Sequence, residues 1–261
     1  MTYQILFLDI DGTILKPDHT YTDLTKEAIS QVKEQGIEVF LSTGRPLHEI
    51  GELAEELGIE SFIGYNGAYA VYQNEIILDE PMKEETINEF LTIANENDHE
   101  LVLYTSEKNY FTTMEKPLVK TFLHTFQVMN NATINTDVTN QILGVTIMNL
   151  GSSQTSLYEF EDGIHLSPVT VAGIENTYDV IRKTVNKGEA VNHVLQRLDI
   201  PKEAAIAFGD GMNDKEMLQT VGEGFAMGNA HPELFKYANQ RTTTVTESGI
   251  YYGLKKLGLV K

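Results

Sequence analysis

Two aspartates separated by one residue, Asp9 and Asp11, directly follow the apolar run Ile5–Leu8. The run predicts a buried strand, and open α/β sheets bind ligands at the carboxyl ends of their strands. In an extended segment both carboxylates would point the same way, and two like charges about 4 Å apart cost about 4 kcal/mol at an effective dielectric of about 20. A divalent cation would offset that cost, while Gly12 permits close approach to an anion and Thr13 adds a hydroxyl. The alternative is an Asp-rich turn without chemistry.

A second group of acids follows another apolar run, at 204–208. Residues 209–214 read Gly-Asp-Gly-Met-Asn-Asp, so Asp210 and Asp214 also stand just beyond a predicted strand. Carboxylate oxygens with no His or Cys nearby suit a hard cation such as Mg²⁺. The competing interpretation is an Asx-rich turn in which an Asp or Asn caps the next helix.

The segment Ser-Thr-Gly-Arg at 42–45 lies between a predicted strand and a predicted helix. Pro46 is typical of the first position of a helix, and the free amides of a helix N-terminus suit a phosphate. Simple capping of that helix by Ser42 or Thr43 uses the same geometry and remains open.

Lys187 precedes a helical pattern that contains Val191, Val194 and Leu195. A cation at a helix N-terminus is electrostatically unfavourable unless an anion accompanies it. An anionic partner and a solvated surface lysine are therefore both compatible with Lys187.

Strand and helix patterns alternate through the first 80 residues, and they return after about residue 184. Apolar runs predict strands, and helical spacing predicts helices, at 5–8 (strand), 24–32 (helix), 38–41 (strand), 47–57 (helix), 61–63 (strand), 191–198 (helix), 204–208 (strand) and 224–227 (strand). Such alternation indicates an α/β fold with a doubly wound, Rossmann-like parallel sheet.

The pattern differs between residues 82 and 184. A helix containing Ile87, Phe90 and Ala94 is followed by strand-like segments at 100–104, 109–113 and 142–148. We therefore predict a core domain at 1–81 and 185–261, interrupted by an inserted α+β domain at 82–184.

The formal net charge is −19, from 38 acidic and 19 basic residues, and Cys is absent. So acidic a chain repels nucleic acid and anionic membranes, and we expect neither as a partner. A phosphate site would need local positive charge from a metal or from a few basic side chains. No apolar run reaches the roughly 18 residues of a membrane span, and no signal peptide is apparent, so a cytoplasmic protein is expected.

Taken together, the four segments resemble the haloacid dehalogenase-like superfamily, in its Cof-type branch with a large inserted cap of the C2 type (subfamily IIB). They occur in family order beside the expected elements, and Tyr65-Asn66-Gly67-Ala68 also matches a family segment. The resemblance covers the whole chain, although the inserted domain carries no specific match. It implies a Mg²⁺-dependent phosphatase whose cap selects small phosphorylated metabolites.

The resemblance also implies roles for individual residues. Asp9 would attack phosphorus to form an aspartyl-phosphate, and Asp11 would protonate the leaving oxygen and then deprotonate water. Mg²⁺ would be bound by Asp9, the main-chain carbonyl of Asp11, Asp210 and, through water, Asp214. Thr43 and Lys187 would complete the catalytic set. The phosphate and substrate contacts implied are Gly12, Thr13, Thr43, Gly44, Arg45, Asn66, Lys187 and Asn213.

Two other functions stay open at this stage. A sugar phosphomutase or phosphotransferase would use the same aspartyl-phosphate, and a catalytically silent regulatory module would be expected to lose Asp11 or Lys187, which this chain retains. The substrate is not predicted beyond a sugar phosphate or similar metabolite, and a monomer and a homodimer are equally compatible.

Overall fold

The chain divides into two compact units in the computed structural model, which describes residues 2–169 and 171–261. Unit 1 contains the residues up to Arg45, Gly51–Asp79 and Asn186–Lys261. Unit 2 contains Pro46–Ile50 and Glu80–Val185.

Strands and helices are numbered in chain order. The strands are β1 (Ile5–Leu8), β2 (Glu38–Ser42), β3 (Ser61–Gly64), β4 (Tyr69–Tyr72), β5 (Glu75–Asp79), β6 (Glu100–Tyr104), β7 (Asn109–Phe111), β8 (Asn131–Thr133), β9 (Gly144–Met148), β10 (Ile164–Pro168), β11 (Tyr178–Arg182), β12 (Ala205–Gly209), β13 (Glu223–Ala226) and β14 (Gln240–Arg241). The α-helices are α1 (Asp23–Glu34), α2 (Gly51–Leu57), α3 (Glu84–Asn97), α4 (Pro117–Phe126), α5 (Lys187–Arg197), α6 (Lys215–Thr220) and α7 (Gly249–Lys256). Short 3-10 helices span Leu47–Glu49, Tyr65–Gly67, Thr136–Gln141, Thr155–Leu157, Lys202–Ala204, Met212–Asp214, Pro232–Lys236 and Val245–Glu247.

The sheet of unit 1 has the order β14-β13-β12-β1-β2-β3-β4-β5. Strand β1 pairs in parallel with β2 on one side and with β12 on the other. The direction in which strands are added to the sheet therefore reverses at β1. Every residue of β1 is fully buried, as a parallel strand covered on both faces requires. The predicted α/β fold with a parallel-sheet core is confirmed.

Alternate residues of the central strands pack on opposite faces of this sheet. Ile5 and Phe7 lie in one apolar cluster with Val191 and Val194 of α5 and with Met217 of α6. The helix α5 forms because apolar residues recur at helical spacing and Asn186 caps it, accepting a hydrogen bond from the Glu189 N–H at 3.0 Å.

The helix predicted at 47–57 is wrong in its first half. A 3-10 helix at Leu47–Glu49 follows Pro46, and the α-helix α2 begins only at Gly51. The residue at the cap position of the 3-10 helix is Pro46, which makes no side-chain capping bond, so the capping role considered for Ser42 and Thr43 is also wrong. Residues 46–50 belong by their contacts to unit 2, which explains why helical spacing alone does not fix their structure.

Unit 2 is an α+β unit whose sheet has the order β10-β11-β9-β6-β7-β8. Leu101 and Leu103 pack with α3, whereas Val102 packs with Val119 and Phe122 of α4. Because successive strand residues point to opposite faces, the two helices cover opposite faces of β6. The helix α4 has no counterpart among the predicted elements.

The start of α5 lies so close to α6 that only glycine fits at position 188. A Cβ there would lie 2.6 Å from the Glu216 carbonyl carbon and from its Cβ. We expect Gly188→Ala to lower the free energy of unfolding by about 1–3 kcal/mol, the usual cost of overpacking, as measured by denaturant titration. Gly51→Ala is the control, because a Cβ at this helical glycine meets nothing within 4 Å and should leave stability unchanged or slightly higher. Equal stability of the two variants would contradict this packing argument.

Candidate active site

The carboxyl ends of β1 and β12 bring two aspartates together across a long sequence separation. Leu8 pairs with Phe208, and the Asp9 N–H donates to the Phe208 carbonyl at 3.1 Å. Asp9 and Asp210 therefore leave neighbouring strands at the point where the strand order reverses, where α/β sheets bind ligands. One carboxylate oxygen from each of Asp9, Asp210 and Asp214 lies within 4.8 Å of the other two.

Lys187 connects two of these three carboxylates. Its ammonium Nζ donates to Asp9 Oδ1 at 2.5 Å and to Asp214 Oδ1 at 2.6 Å, and its side chain has 0% exposure. The interpretation of Lys187 as a solvated surface residue is therefore wrong. The anionic partners of Lys187 are carboxylates of the protein itself. Removing one member of a buried ion pair typically lowers the free energy of unfolding by about 3–5 kcal/mol.

Asp214 also organises the loop that follows β12. Its Oδ2 accepts the N–H groups of Asp210 at 2.9 Å and of Gly211 at 3.0 Å, while its Oδ1 contacts Lys187. These bonds run back to N–H groups three and four residues before Asp214, whereas an Asx turn accepts from two residues later, so Asp214 forms neither the Asx turn nor the side-chain cap of α6 weighed as the alternative. Both oxygens of Asp214 have protein partners, and its place among the metal ligands stays a prediction.

The chain turns sharply after β1, and this turn separates Asp9 from Asp11. The Ile10 carbonyl accepts the N–H groups of Ile14 at 2.9 Å and Leu15 at 2.8 Å. The extended geometry expected for residues 9–11 is therefore wrong. Asp9 is buried, whereas the Asp11 side chain is 52% exposed.

Arg45 pairs with the exposed carboxylate of Asp11. Its Nε donates to Asp11 Oδ2 at 2.7 Å, and a terminal guanidinium nitrogen contacts Asp11 Oδ1. Arg45 was predicted to contact the phosphate. In this structure it instead contacts both carboxylate oxygens of Asp11, the residue predicted to act as acid and base. The positive guanidinium thus offsets the negative charge of Asp11, which a divalent cation was expected to offset.

Gly12 and Thr13 lie directly on Asp210. The Thr13 hydroxyl donates to Asp210 Oδ1 at 3.0 Å. Gly12 has φ of +83°, and a Cβ there would lie 2.2 Å from Asp210 Oδ2, so any larger residue would displace that carboxylate.

The loops after β2 and β3 are joined by backbone hydrogen bonds. The Asn66 N–H donates to the Thr43 carbonyl at 3.1 Å, and the Thr43 hydroxyl accepts the Arg45 N–H at 3.0 Å. Asn213 donates through Nδ2 to Asn66 Oδ1 at 3.0 Å, which links this pair of loops to the loop after β12. A Cβ on Gly44 would lie 3.0 Å from the Asn66 amide, so Gly44 belongs to the same group. The predicted site residues thus lie on connected loops of unit 1, together with Lys187 at the first position of α5.

Burial makes the acidic cluster reluctant to ionise fully. Burial and the neighbouring charge of Asp214 raise the pKa of Asp9, against the opposing effect of Lys187. The same two causes raise the pKa of Asp210 to about 6. Burial disfavours the charged form of Lys187, but the charges of Asp214 and Asp9 outweigh it and raise the lysine pKa.

The charge and the donor atoms of this cluster fit a divalent cation. Three ionised carboxylates against one ammonium leave an excess of two negative charges. Hard oxygen donors suit Mg²⁺, whose ligand distances of about 2.0–2.1 Å put opposite ligands about 4 Å apart, so small side-chain shifts suffice from the observed limit of 4.8 Å. These residues could therefore hold a metal ion.

One residue of the site was missed by the sequence analysis. Asn229, which follows β13, donates through Nδ2 to the Gly12 carbonyl at 2.8 Å. A signal was present, because Asn229 stands just beyond a buried strand of the same sheet, as Asp9 and Asp210 do.

Comparison with known proteins identifies the family. Residues 6–254 match the profile of the haloacid dehalogenase-like hydrolases. The Bacillus subtilis (strain 168) protein YkrA is 32% identical over 261 residues, which cover 100% of both chains. From the same organism, phosphatase YwpJ is 26% identical over 97% of this chain and 99% of its own length. The 5-amino-6-(5-phospho-D-ribitylamino)uracil phosphatase YitU is 27% identical over 97% of this chain and 96% of its own.

Solved structures share the fold. A hypothetical protein from Geobacillus kaustophilus HTA426 gives a TM-score of 0.90 at 30% identity, over 99% of this chain and 100% of its own. The subclass IIB sugar phosphatase BT4131 gives a TM-score of 0.83 at 23% identity, over 98% of this chain and 100% of its own, a likeness of fold alone.

The chain belongs to the haloacid dehalogenase-like hydrolases, and the predicted Cof-type branch is confirmed. Phosphatase is the class of enzyme that the family and these relatives support. Among the residues that the structure describes, no helix has the length and apolar character needed to span a bilayer.

The raised pKa of Asp210, about 6, predicts how a divalent cation changes stability with pH. The folded protein holds this proton more tightly than the unfolded chain, whose Asp has a pKa of about 3.9, so metal-free stability falls as pH rises from about 4 to about 6. A bound cation favours the ionised form of Asp210 and offsets this loss of stability. We expect Mg²⁺ to raise the melting temperature more at about pH 7.5 than at about pH 5, in thermal denaturation against EDTA.

Asp210→Asn is the control for this titration, since it removes the ionisable group without changing the size of the side chain. The pH-dependent part of the Mg²⁺ effect should shrink in that variant. An equal rise in melting temperature at both pH values for the natural protein would contradict the assignment of the cation to this cluster.

Proposed function

We propose that this protein is a Mg²⁺-dependent phosphomonoester hydrolase that acts on small phosphorylated metabolites through an aspartyl-phosphate on Asp9. The observation that carries the proposal is the buried contact of Asp9 with Lys187, beside Asp210 at the reversal point of the sheet. Lys187 favours the ionised form of this carboxylate, against burial and the charge of Asp214, and its positive charge can also attract a phosphoryl group.

The first step of the proposed reaction is attack by an Asp9 carboxylate oxygen on phosphorus. The bond from phosphorus to the leaving oxygen breaks, and that oxygen takes a proton from Asp11. In the second step Asp11 accepts a proton from water, the water oxygen attacks phosphorus, and inorganic phosphate leaves with Asp9 restored. One carboxyl group thus serves first as acid and then as base.

The contact with Arg45 bears directly on the proposed role of Asp11. Arg45 donates to one oxygen of this carboxylate and contacts the other, so both oxygens already face a hydrogen-bond donor. The proton that Asp11 gives to the leaving oxygen must sit on one of these two oxygens, so Arg45 must loosen its contact for the first step. Once released, Arg45 would turn toward the phosphoryl oxygens. The observed ion pair with Asp11 and the predicted contact with phosphate would then be two successive positions of the same side chain.

Several groups support phosphoryl binding in this proposal. Lys187 supplies positive charge, and Thr43, Gly44, Asn66 and Asn213 lie on the connected loops around the acidic cluster. Asp9, Asp210, the Asp11 main-chain carbonyl and Asp214 would hold Mg²⁺. Once bound, the ion supplies charge neutralisation for the phosphoryl oxygens and lessens their repulsion by Asp9.

The proposed substrates are sugar phosphates or similar metabolites. Two relatives support this range, since YitU is a phosphatase of a phosphorylated ribityl compound and BT4131 is a sugar phosphatase. We assign the inserted domain to substrate selection and the protein to the cytoplasm as parts of the same proposal. A hydrogen-bonded chain in unit 2 is a candidate for selection: Tyr104 bonds Thr146 at 2.9 Å, and Thr146 donates to Asp179 at 2.6 Å.

A screen of phosphorylated metabolites with Mg²⁺ tests this function. We expect Asp9→Asn to reduce phosphate release to background, because the amide is a poor nucleophile. Asp11→Asn should slow turnover by about 10²–10⁴-fold, the usual contribution of a general acid or base. Rapid acid quench with ³²P-labelled substrate should trap labelled protein with Asp11→Asn and none with Asp9→Asn.

Asp18→Asn is the matched control, because Asp18 is exposed, lies nearby in sequence and contacts only Lys16 and Thr20 among the described residues. Its activity should equal that of the natural protein. Hydrolysis that persists both in EDTA and in Asp9→Asn would overturn the mechanism. Dependence of turnover on a sugar bisphosphate activator would instead identify a phosphomutase.

A further inference from the structure

Asn229 connects three loops at the carboxyl edge of the unit 1 sheet. Its Oδ1 accepts the Val245 N–H at 2.7 Å, and its Nδ2 donates to the Gly12 carbonyl at 2.8 Å. The same Nδ2 lies 3.4 Å from Asp210 Oδ2. One exposed side chain thus contacts the loop after β1, the loop after β12 and the segment before α7.

The surroundings fix which end of this amide faces which neighbour. The Val245 N–H is a donor and requires the amide oxygen, whereas the Gly12 carbonyl and the Asp210 carboxylate are acceptors and require the NH₂ group. An aspartate at position 229 would face both acceptors with negative charge. The position therefore calls for a side chain that accepts at one end and donates at the other.

The backbone around Asn229 is tied to Asp210 as well. The His231 N–H donates to the Asp210 carbonyl at 2.9 Å, and the Met227 N–H donates to the Gly209 carbonyl at 3.0 Å. The loop that carries Asn229 is therefore held against the loop that carries Asp210. The contact of Asn229 with Gly12 extends this connection to the loop that carries Asp9.

The relative position of the two proposed metal ligands depends on few side-chain contacts. Thr13 holds one oxygen of Asp210, and Asn229 lies beside the other while holding the carbonyl of Gly12. We infer that Asn229 is a positioning residue that sets the distance between Asp9 and Asp210 and thereby the affinity for the divalent cation. This inference rests on the proposed Mg²⁺-dependent function and adds a residue to it that does not itself touch the metal or the substrate.

Asn239 provides a closely matched control. Its Oδ1 accepts the Gly224 N–H at 2.7 Å and its Nδ2 donates to the Gly222 carbonyl at 2.7 Å, so it bridges backbone groups in the same manner. These partners flank the start of β13, at the opposite end of that strand from Asn229. Asn239→Ala should reproduce the structural cost of losing such a bridge without affecting the acidic cluster.

The experiment is isothermal titration of the full chain with Mg²⁺, for the natural protein, Asn229→Ala and Asn239→Ala. Loss of a side chain that orients a metal ligand typically weakens metal affinity by about 10–100-fold, and we expect that loss for Asn229→Ala alone. The Mg²⁺ concentration for half-maximal hydrolysis should rise by the same factor, with kcat largely recovered at saturating Mg²⁺. Melting temperatures in EDTA should fall similarly in both variants.

Unchanged Mg²⁺ affinity in Asn229→Ala, or an equal loss in Asn239→Ala, would overturn the inference while leaving the proposed function intact. Absence of Mg²⁺ binding to the natural protein would instead overturn the metal-dependent function itself. Should Asn229→Ala fail to fold in EDTA, Asn229→Ser replaces it. Its single, shorter hydroxyl cannot bridge the Val245 N–H and the Gly12 carbonyl, so the same loss of affinity is expected.

Discussion

The architecture of this site depends on one buried ammonium group. Lys187 is fully buried and contacts both Asp9 and Asp214, so two carboxylates and one cation share a buried space. Such a cluster persists only if every charge has a partner, because an isolated buried ion costs several kcal/mol. The pairing requires that α5 begin beside the ends of β1 and β12. The close approach of Gly188 to α6 helps to fix that start.

The order of the strands explains why acids so distant in sequence meet. Chain segments added after β1 extend the sheet on one side, and β12 and β13 extend it on the other. The crevice at the reversal therefore collects the ends of β1 and β12, each followed by an acid. The cluster has more negative than positive charge, and this excess separates it from an ordinary structural ion pair. In a protein of net charge −19, the proposed divalent cation would join Lys187 in supplying the local positive charge that a phosphate site needs.

Much of the core could be predicted from sequence because its signals are local. The apolar runs at β1, β2, β3, β12 and β13 mark buried strands, and the polar residues just beyond them mark the functional edge. Pairings between loops could not be predicted. The contact of Arg45 with Asp11 depends on a turn around the Ile10 carbonyl. The sequence analysis missed this turn because it assumed an extended backbone between Asp9 and Asp11. The helix predicted at 47–57 failed because contacts of residues 46–50 with unit 2 override helical spacing.

The central claim is that Asp9 and Asp210 bind one divalent cation at the reversal of the sheet. Anomalous scattering from a crystal of the full chain grown with Mn²⁺ in place of Mg²⁺ tests it most directly. The account predicts a single strong peak about 2.0–2.2 Å from a carboxylate oxygen of each of these two residues, the bond length expected for such a small hard ion. A peak held by other acids, with Asp9 and Asp210 left without metal, would contradict it.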